Sequence, residues 1–141
     1  MNLAIQEARK AYQKNEVPIG CVIVSNNKVL AKSHNLVETN KDPLAHAEIL
    51  AIKQAVKERK RWRLNSCDIY VTMQPCTMCL GAIYNSRIKN LYFSAFDSKG
   101  LDIFKLKEKL DISYNHKLNI SNKIQLDICS NLVKSFFESK R

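Results

Sequence analysis

The sequence predicts an α/β protein, a three-layer α/β/α sandwich around a five-stranded mixed sheet. Helical and strand-like segments alternate along most of the 141 residues. Two strand-like segments near the start are separated by only two asparagines, which indicates a hairpin. The length suits one hydrophobic core. We therefore expect residues 1–141 to form a single domain with helices on both faces of the sheet.

The first half of the chain predicts a helix, a β-hairpin and a second helix. Apolar residues recur at helical spacing over residues 3–14, and the apolar run 20–25 predicts a buried strand. Asn26 and Asn27 predict a tight turn because asparagine tolerates positive φ, so residues 28–34 return as the second strand. A polar loop is expected over 35–44 and a helix over 46–59.

The second half alternates strands with helices. The expected order is strand 68–73, helix 77–86, strand 90–94, helix 101–110, strand 117–120 and helix 125–140. The last segment has the spacing of an amphipathic helix. Phe136 and Phe137 are adjacent there, so only one of them can face the core.

Composition indicates a globular protein. Hydrophobic residues make up 45% and charged residues 26%, and the chain has only 3 glycines and 3 prolines, which excludes collagen-like and low-complexity classes. No apolar run approaches the roughly 20 residues that span a bilayer. Residues 1–7 lack the basic and apolar regions of a signal peptide. We expect a cytoplasmic protein with no membrane segment.

The charge balance is strongly basic. Lysine and arginine number 23 against 13 acidic residues, which gives a formal net charge of +10. A nucleic acid partner explains this excess through counterion release, and a general use of lysine on the solvated surface explains it equally well. The cluster 59–63 has the same two interpretations. Cations around Trp62 suit a nucleic-acid patch, and cations at the end of a helix also complement its dipole.

The five cysteines divide into two groups. Cys21, Cys67 and Cys129 lie in strand-like or helical patterns and are expected to be small buried hydrophobic residues. An odd number of cysteines without a signal peptide argues against a disulfide framework. Cys76 and Cys79 stand three positions apart where a helix begins, and the helix dipole favours thiolates there. Such a pair occurs in redox sites, structural zinc sites and catalytic zinc sites.

His46 is the third candidate ligand, and it also lies at the start of a predicted helix. Two such helix starts on one face of the sheet would bring one imidazole and two thiolates together, leaving a fourth tetrahedral position open to water, as in catalytic zinc sites. Glu48 could move a proton between that water and a leaving group. The alternatives are an exposed histidine and an acidic residue that complements the helix dipole.

At these residues the sequence resembles the zinc-dependent cytidine deaminase superfamily. His46-Ala47-Glu48, followed by the Pro75 to Cys79 segment, matches the H-x-E…P-C-x-x-C signature of that superfamily. Further segments resemble its bacterial branch of tRNA-specific adenosine deaminases. They are residues 16–20, 34–35, 42–48, 85–88, 97–99, 115–116 and 136–137, so the resemblance covers nearly the whole chain.

The resemblance implies a cytidine deaminase-like fold and a hydrolytic deamination of adenosine to inosine at the wobble position of tRNA anticodons. It implies one Zn²⁺ per chain, which activates a water and is held by His46, Cys76 and Cys79. It implies Glu48 as the catalytic proton shuttle. The implied substrate-binding residues are Asn35, Ala47, Asp97 and Lys99. The implied partners are the anticodon stem-loop of tRNA and a second copy of the chain in a homodimer.

The chain departs from the pattern of that branch at two single residues and in one three-residue segment. Gln74 replaces the usual glutamate, His34 replaces the usual tryptophan, and Leu101-Asp102-Ile103 replaces a turn of small residues. The last departure bears on the geometry of the loop after Lys99. Two other functions stay open at this point: a zinc-dependent deaminase of a free base or nucleotide, of the cytosine or guanine type, and a nucleic-acid-binding module with a structural zinc.

Overall fold

The computed structural model describes all 141 residues and contains one five-stranded sheet with the order β2-β1-β3-β4-β5. β1 pairs antiparallel with both β2 and β3, whereas β3 pairs parallel with β4 and β4 with β5. The predicted mixed sheet is therefore confirmed. The strands are β1 (Gly20–Ser25), β2 (Lys28–His34), β3 (Asp68–Met73), β4 (Asn90–Ala95) and β5 (Asn119–Ser121).

Six helices cover the two faces of the sheet. They are α1 (Asn2–Gln13), α2 (Val37–Asn40), α3 (Ala47–Arg59), α4 (Thr77–Asn85), α5 (Ile103–Ser113) and α6 (Leu126–Glu138). The helices α3, α4 and α5 share one core with the sheet, and α1 and α6 pack on the opposite face. This is the three-layer sandwich that the sequence predicts. None of the helices combines the length and the apolar character that crossing a bilayer requires.

The larger core lies between the sheet and α3, α4 and α5. Ile69 and Val71 of β3 and Leu91 and Phe93 of β4 alternate along their strands and are fully buried against these helices. A smaller cluster beneath α1 and α6 contains Cys129. Cys21, Cys67 and Cys129 are all buried, as expected for small apolar side chains.

Helix α1 lies in direct contact with β1 at Gly20. A Cβ atom at this position would come within 1.9 Å of the carbonyl oxygen of Ala4 and 2.5 Å of the amide nitrogen of Ala8. Both alanines are fully buried. Glycine and alanine therefore allow the two backbones to approach, and any larger residue at position 20 would push the helix off the sheet.

The prediction of an unbroken loop over 35–44 is wrong, because the short helix α2 occupies residues 37–40. The carboxylate of Glu16 accepts hydrogen bonds from the backbone N–H groups of Glu38 and Thr39, at 3.3 and 2.6 Å. Such N–H groups in the first turn of a helix have no partner inside the helix. The acceptor lies more than twenty residues earlier in the chain, so the local pattern does not reveal it.

Helix α5 begins two residues later than expected and extends to Ser113. Its start is fixed by the side chain of Asp102, which accepts hydrogen bonds from the N–H groups of Phe104 and Lys105 at 3.0 and 3.2 Å. In α6, Phe136 is buried and Phe137 is half exposed, as the sequence predicts for this pair.

Candidate active site

The side chains of His46, Cys76 and Cys79 meet at one end of the sheet. Nδ1 of His46 lies 3.7 Å from Sγ of Cys76 and 3.5 Å from Sγ of Cys79. The ligand atoms of the three residues all lie within 4.8 Å of one another. Cys79 is buried, whereas Cys76 is exposed, so the cluster is reached from solvent on the side of Cys76.

The sheet topology brings these distant residues together. β2 and β3 are both antiparallel to β1, so they run in the same direction and end at the same edge of the sheet. The chain leaves β2 toward α3 and leaves β3 toward α4, and the two helices pack side by side. His46 precedes the first residue of α3, and Cys76 precedes the first residue of α4. The ligand cluster is therefore built from two adjacent helix N-termini.

The two thiols shift each other's pKa in opposite directions. A hydrogen bond from Cys79 is the main cause that lowers the pKa of Cys76 to about 5, and interactions with His46 lower it further. The same hydrogen bond, together with burial, raises the pKa of Cys79. A thiolate is thus favoured at Cys76 even before a cation is considered. Thiolates are the form in which cysteine binds metal ions.

The donor set fits a zinc ion. Zinc binds thiolate sulfur at about 2.3 Å and imidazole nitrogen at about 2.0–2.1 Å in tetrahedral geometry, which separates nitrogen from sulfur by roughly 3.6 Å. The two nitrogen–sulfur distances in the cluster lie on either side of this value. The group of possible ligands comprises three residues. Three protein ligands with one open position are typical of catalytic zinc sites.

Glu48 lies in the first turn of α3 beside this cluster and is only 3% exposed. Burial is the main cause that raises its pKa to about 7, and the neighbouring Cys76 also raises it, whereas His46 and Cys79 lower it. A buried carboxyl group that can gain and lose a proton near neutral pH has the property that general acid–base chemistry requires.

Asn35 directly follows β2 and is 6% exposed. Its Nδ2 donates a hydrogen bond to Glu16 at 3.0 Å, and its backbone N–H donates to Ile19 at 3.0 Å. Glu16 is fully buried. In the sequence, Glu16 stands out only as one residue of segment 16–20, which resembles the deaminase branch. The hydrogen bonds that Glu16 accepts from residues 35–39 are apparent only in the tertiary structure.

Ala47 is the first residue of α3, and its side chain is fully buried. Its carbonyl oxygen accepts a hydrogen bond from the hydroxyl of Ser33 at 2.6 Å. The N–H of a first-turn residue has no partner within its helix.

Asp97 and Lys99 belong to a tight turn after β4. The carboxylate of Asp97 accepts a hydrogen bond from the N–H of Lys99 at 3.0 Å, and its carbonyl accepts one from Gly100 at 3.0 Å. Lys99 and Cys76 both line a cavity of about 240 Å³. Gln74 and Leu101 line the same cavity, so two of the three departures from the family pattern lie next to the ligand cluster. The third, His34, lies elsewhere and contacts Glu7 at 2.8 Å.

The basic cluster 59–63 lies at the opposite end of α3 from His46. Thirteen helical residues separate the two ends, a distance of about 20 Å. Arg59 donates hydrogen bonds to the hydroxyls of Ser25 and Ser66 and so ties the hairpin end to the loop before β3. Arg63 lies over the ring of the exposed Trp62. The structure does not bring this cluster into the site.

A model of the MafB19-like deaminase family matches residues 1–141. The tRNA-specific adenosine deaminase of Bacillus subtilis (strain 168) is 41% identical over 142 residues, which cover 100% of this chain and 88% of that protein. This chain belongs to the tRNA-specific adenosine deaminase family.

Solved structures of deaminases have the same fold. One, from a study of A-to-I editing by tRNA:A34 deaminases at the wobble position of transfer RNA, superposes with a TM-score of 0.87 at 36% identity and covers 94% of this chain and 96% of its own. A guanine deaminase from Bacillus subtilis superposes with a TM-score of 0.66 at 34% identity, covering 75% of this chain and 71% of its own. The first similarity is closer and extends over more of the chain.

Proposed function

We propose that this deaminase converts adenosine to inosine at the wobble position of tRNA anticodons. The observation that carries the proposal is the meeting of His46, Cys76 and Cys79 beside the buried Glu48. This combination suits a hydrolytic deamination, and it occurs in a chain that is similar over its full length to tRNA-specific adenosine deaminases.

His46, Cys76 and Cys79 would hold the zinc ion, one per chain. When bound, zinc supplies Lewis acidity, which makes a water molecule acidic near neutral pH. The remaining chemistry belongs to the side chains. The oxygen of water bonds to C6 of adenine, and the bond from C6 to the amino nitrogen breaks. Glu48 carries the protons of the water, one to ring nitrogen N1 and one to the departing amino group, so that inosine and ammonia are formed.

The substrate would reach Glu48 from the open side of the cluster. We assign contacts with the flipped nucleotide to Asn35 and to the backbone of Ala47, both buried beside the start of α3. We assign contacts with the flanking nucleotides to Asp97 and Lys99, whose turn borders the cavity at Cys76. An anticodon loop suits this site because its bases are already unpaired and cost little to extract.

A second and larger cavity offers a path for the flanking nucleotides. It has a volume of about 610 Å³ and begins at Asp97 and Lys99. Its other wall is the end of α6, where the half-exposed ring of Phe137 lies near Lys140 and Arg141. An exposed aromatic ring among cations can stack on a base while the cations bind phosphates. The net charge of +10 supports the same partner.

We also propose that the chain forms a homodimer and acts in the cytoplasm, where tRNA is modified. Leu44 and Leu101 are 52% and 64% exposed. Leu44 stands two residues before His46, and Leu101 lines the same cavity as Cys76. Exposed apolar side chains at this position suit burial against a second copy. Sedimentation at micromolar concentration measures the oligomeric state directly.

The second candidate is a deaminase of a free base, such as guanine or cytosine. The similarity to a guanine deaminase favours it, because the same donor set and glutamate suit that reaction. A nucleic-acid-binding module with a structural zinc is the third candidate, and the buried Glu48 beside an incomplete ligand set disfavours it.

One experiment separates the three candidates. The purified chain is incubated with an anticodon stem-loop carrying a wobble adenosine, with guanine and with cytosine, each at two salt concentrations. We expect inosine in the stem-loop, no conversion of either base, and binding that weakens steeply with salt because counterions are released.

Turnover of a free base with an inert stem-loop would instead establish the second candidate. RNA binding without any conversion would establish the third. A stem-loop with guanosine at the wobble position is the matched control for the RNA substrate.

A further inference from the structure

Glu16 is a carboxylate that the deamination chemistry does not use, yet it is completely buried. It lies between α1 and β1 and accepts three hydrogen bonds. The donors are the N–H of Thr39 at 2.6 Å, the N–H of Glu38 at 3.3 Å and Nδ2 of Asn35 at 3.0 Å. All three donors come from the short segment 35–39.

These contacts keep Glu16 ionised. Burial raises the pKa of the carboxyl group, but the hydrogen bonds from Thr39, Glu38 and Asn35 outweigh burial and leave the pKa below its ordinary value. Its partners are neutral hydrogen-bond donors rather than a cation. Removing a carboxylate from water is costly, so its burial here requires all of these donors.

An ionised carboxylate only accepts hydrogen bonds, and this fixes the orientation of its neighbour. The amide of Asn35 must turn its Nδ2 toward Glu16 and its Oδ1 away from it. The backbone on either side is also held, because the N–H of Asn35 donates to Ile19 and the N–H of Leu36 donates to Ala45, each at 3.0 Å. Asn35 is therefore fixed in both position and orientation.

We propose that Glu16 is a positioning residue that sets the amide orientation of Asn35 for binding the target nucleotide. The proposal rests on the proposed function, because it requires Asn35 to contact substrate. A pre-oriented amide binds without first losing rotational freedom, so we expect Glu16 to affect KM more than kcat. Glu16 itself does not touch the reacting atoms and acts through Asn35.

The test is a double-mutant cycle with Glu16→Gln, Asn35→Ala and the double variant, using the anticodon stem-loop as substrate. A glutamine has a similar shape, but it can turn its own amide either way and so no longer fixes Asn35. We expect Glu16→Gln to raise KM about tenfold with kcat changed less than about threefold. We expect the double variant to be no worse than Asn35→Ala alone.

The outcomes are distinct. Effects that multiply in the double variant, or an unchanged KM in Glu16→Gln, would overturn the positioning role while leaving the proposed function intact. A wild-type chain that fails to convert the stem-loop would overturn both. Glu58→Gln, an exposed acidic residue near the end of α3, is the matched control and should leave KM unchanged.

Folding is monitored by thermal unfolding and by zinc content. If Glu16→Gln fails to fold, Glu16→Asp replaces it in the cycle. This variant keeps the charge but shortens the side chain, which lengthens the hydrogen bond to Asn35. It should raise KM by a smaller factor in the presence of Asn35 and have no effect on KM in the Asn35→Ala background. An equal effect in both backgrounds would refute the inference.

Discussion

Gln74 donates a hydrogen bond from Nε2 to the carbonyl oxygen of Leu101 at 2.9 Å. This bond joins the residue two positions before Cys76 to the end of the turn that carries Asp97 and Lys99. Gly100 lies in the same turn, and a Cβ there would lie 2.9 Å from Cβ of Asp97 and 3.0 Å from Nε2 of Gln74. The glutamine at position 74 allows this bond, since an amide can donate to a carbonyl and a carboxylate cannot.

Replacing Gln74 with glutamate should therefore loosen this turn. The variant Gln74→Glu places an ionised carboxylate against the carbonyl oxygen of Leu101, so the hydrogen bond is lost and two acceptors face each other. We expect KM for the stem-loop to rise about tenfold, while kcat changes little because Glu48 and the metal ligands are untouched. Steady-state kinetics measure both constants. Gln54→Glu, which adds the same charge on an exposed part of α3, should change neither.

Zinc content should depend on Cys79 but not on Cys67. Both thiols are buried, so Cys79→Ser and Cys67→Ser disturb the packing to a comparable degree. A neutral hydroxyl is a much poorer zinc ligand than a thiolate, and we expect strong loss of zinc in Cys79→Ser and little loss in Cys67→Ser. Metal analysis of the purified chains measures this. Full zinc occupancy in Cys79→Ser would exclude the proposed ligand set.

Glu48→Gln should separate catalysis from metal binding. The amide keeps the shape of the side chain but cannot carry a proton, so zinc content and fold should persist while turnover is lost. We expect a decrease in kcat beyond the roughly 10²–10⁴-fold typical of a single general acid–base group, because Glu48 serves more than one transfer. Single-turnover assays of inosine formation measure the decrease. Substantial remaining activity would assign the proton transfers to another group.

Asp111 should stabilise the fold in a pH-dependent manner. Its carboxylate accepts hydrogen bonds from the hydroxyl of Tyr84 at 2.6 Å, from Lys107 at 2.5 Å and from the N–H of Leu118 at 3.2 Å. Burial raises the pKa of Asp111, but these contacts outweigh burial and lower the pKa overall. The group joins α5 to α4 and to the segment before β5. We expect Asp111→Asn to lower the free energy of unfolding by about 1–3 kcal/mol at pH 7.

The sign of the pH dependence follows from the lowered pKa. The stabilisation is fully present above the unfolded value of roughly 3.9 and is lost as the pH falls through the lower folded value. The difference between wild type and Asp111→Asn should therefore shrink below about pH 4. Denaturant unfolding across this range measures it. Glu108→Gln, an exposed residue on the same helix, is the control and should show no such convergence.

Much of the fold follows from local patterns. The hairpin at Asn26 and Asn27 forms as predicted because both residues adopt positive φ, at 49° and 60°. The alternation of buried residues in β3 and β4 likewise reflects a period that is visible in the chain. Helix α2 leaves no local signal in the sequence because its first N–H groups donate to the distant Glu16 rather than to a neighbouring side chain.

The cluster of His46, Cys76 and Cys79 was likewise predictable in its residue types but not in its geometry. The residues that have the chemistry can be found in the sequence, since imidazole, thiols and carboxyl group all stand where a helix is predicted to start. Their distances depend on the folded chain: His46 lies within 3.7 Å of both sulfur atoms because β2 and β3 run in the same direction on either side of β1. The hydrogen bonds from Asn35 to Glu16 and from Gln74 to Leu101 likewise form only in the folded chain. Contacts between segments depend on the sheet order, which no local window of the sequence contains.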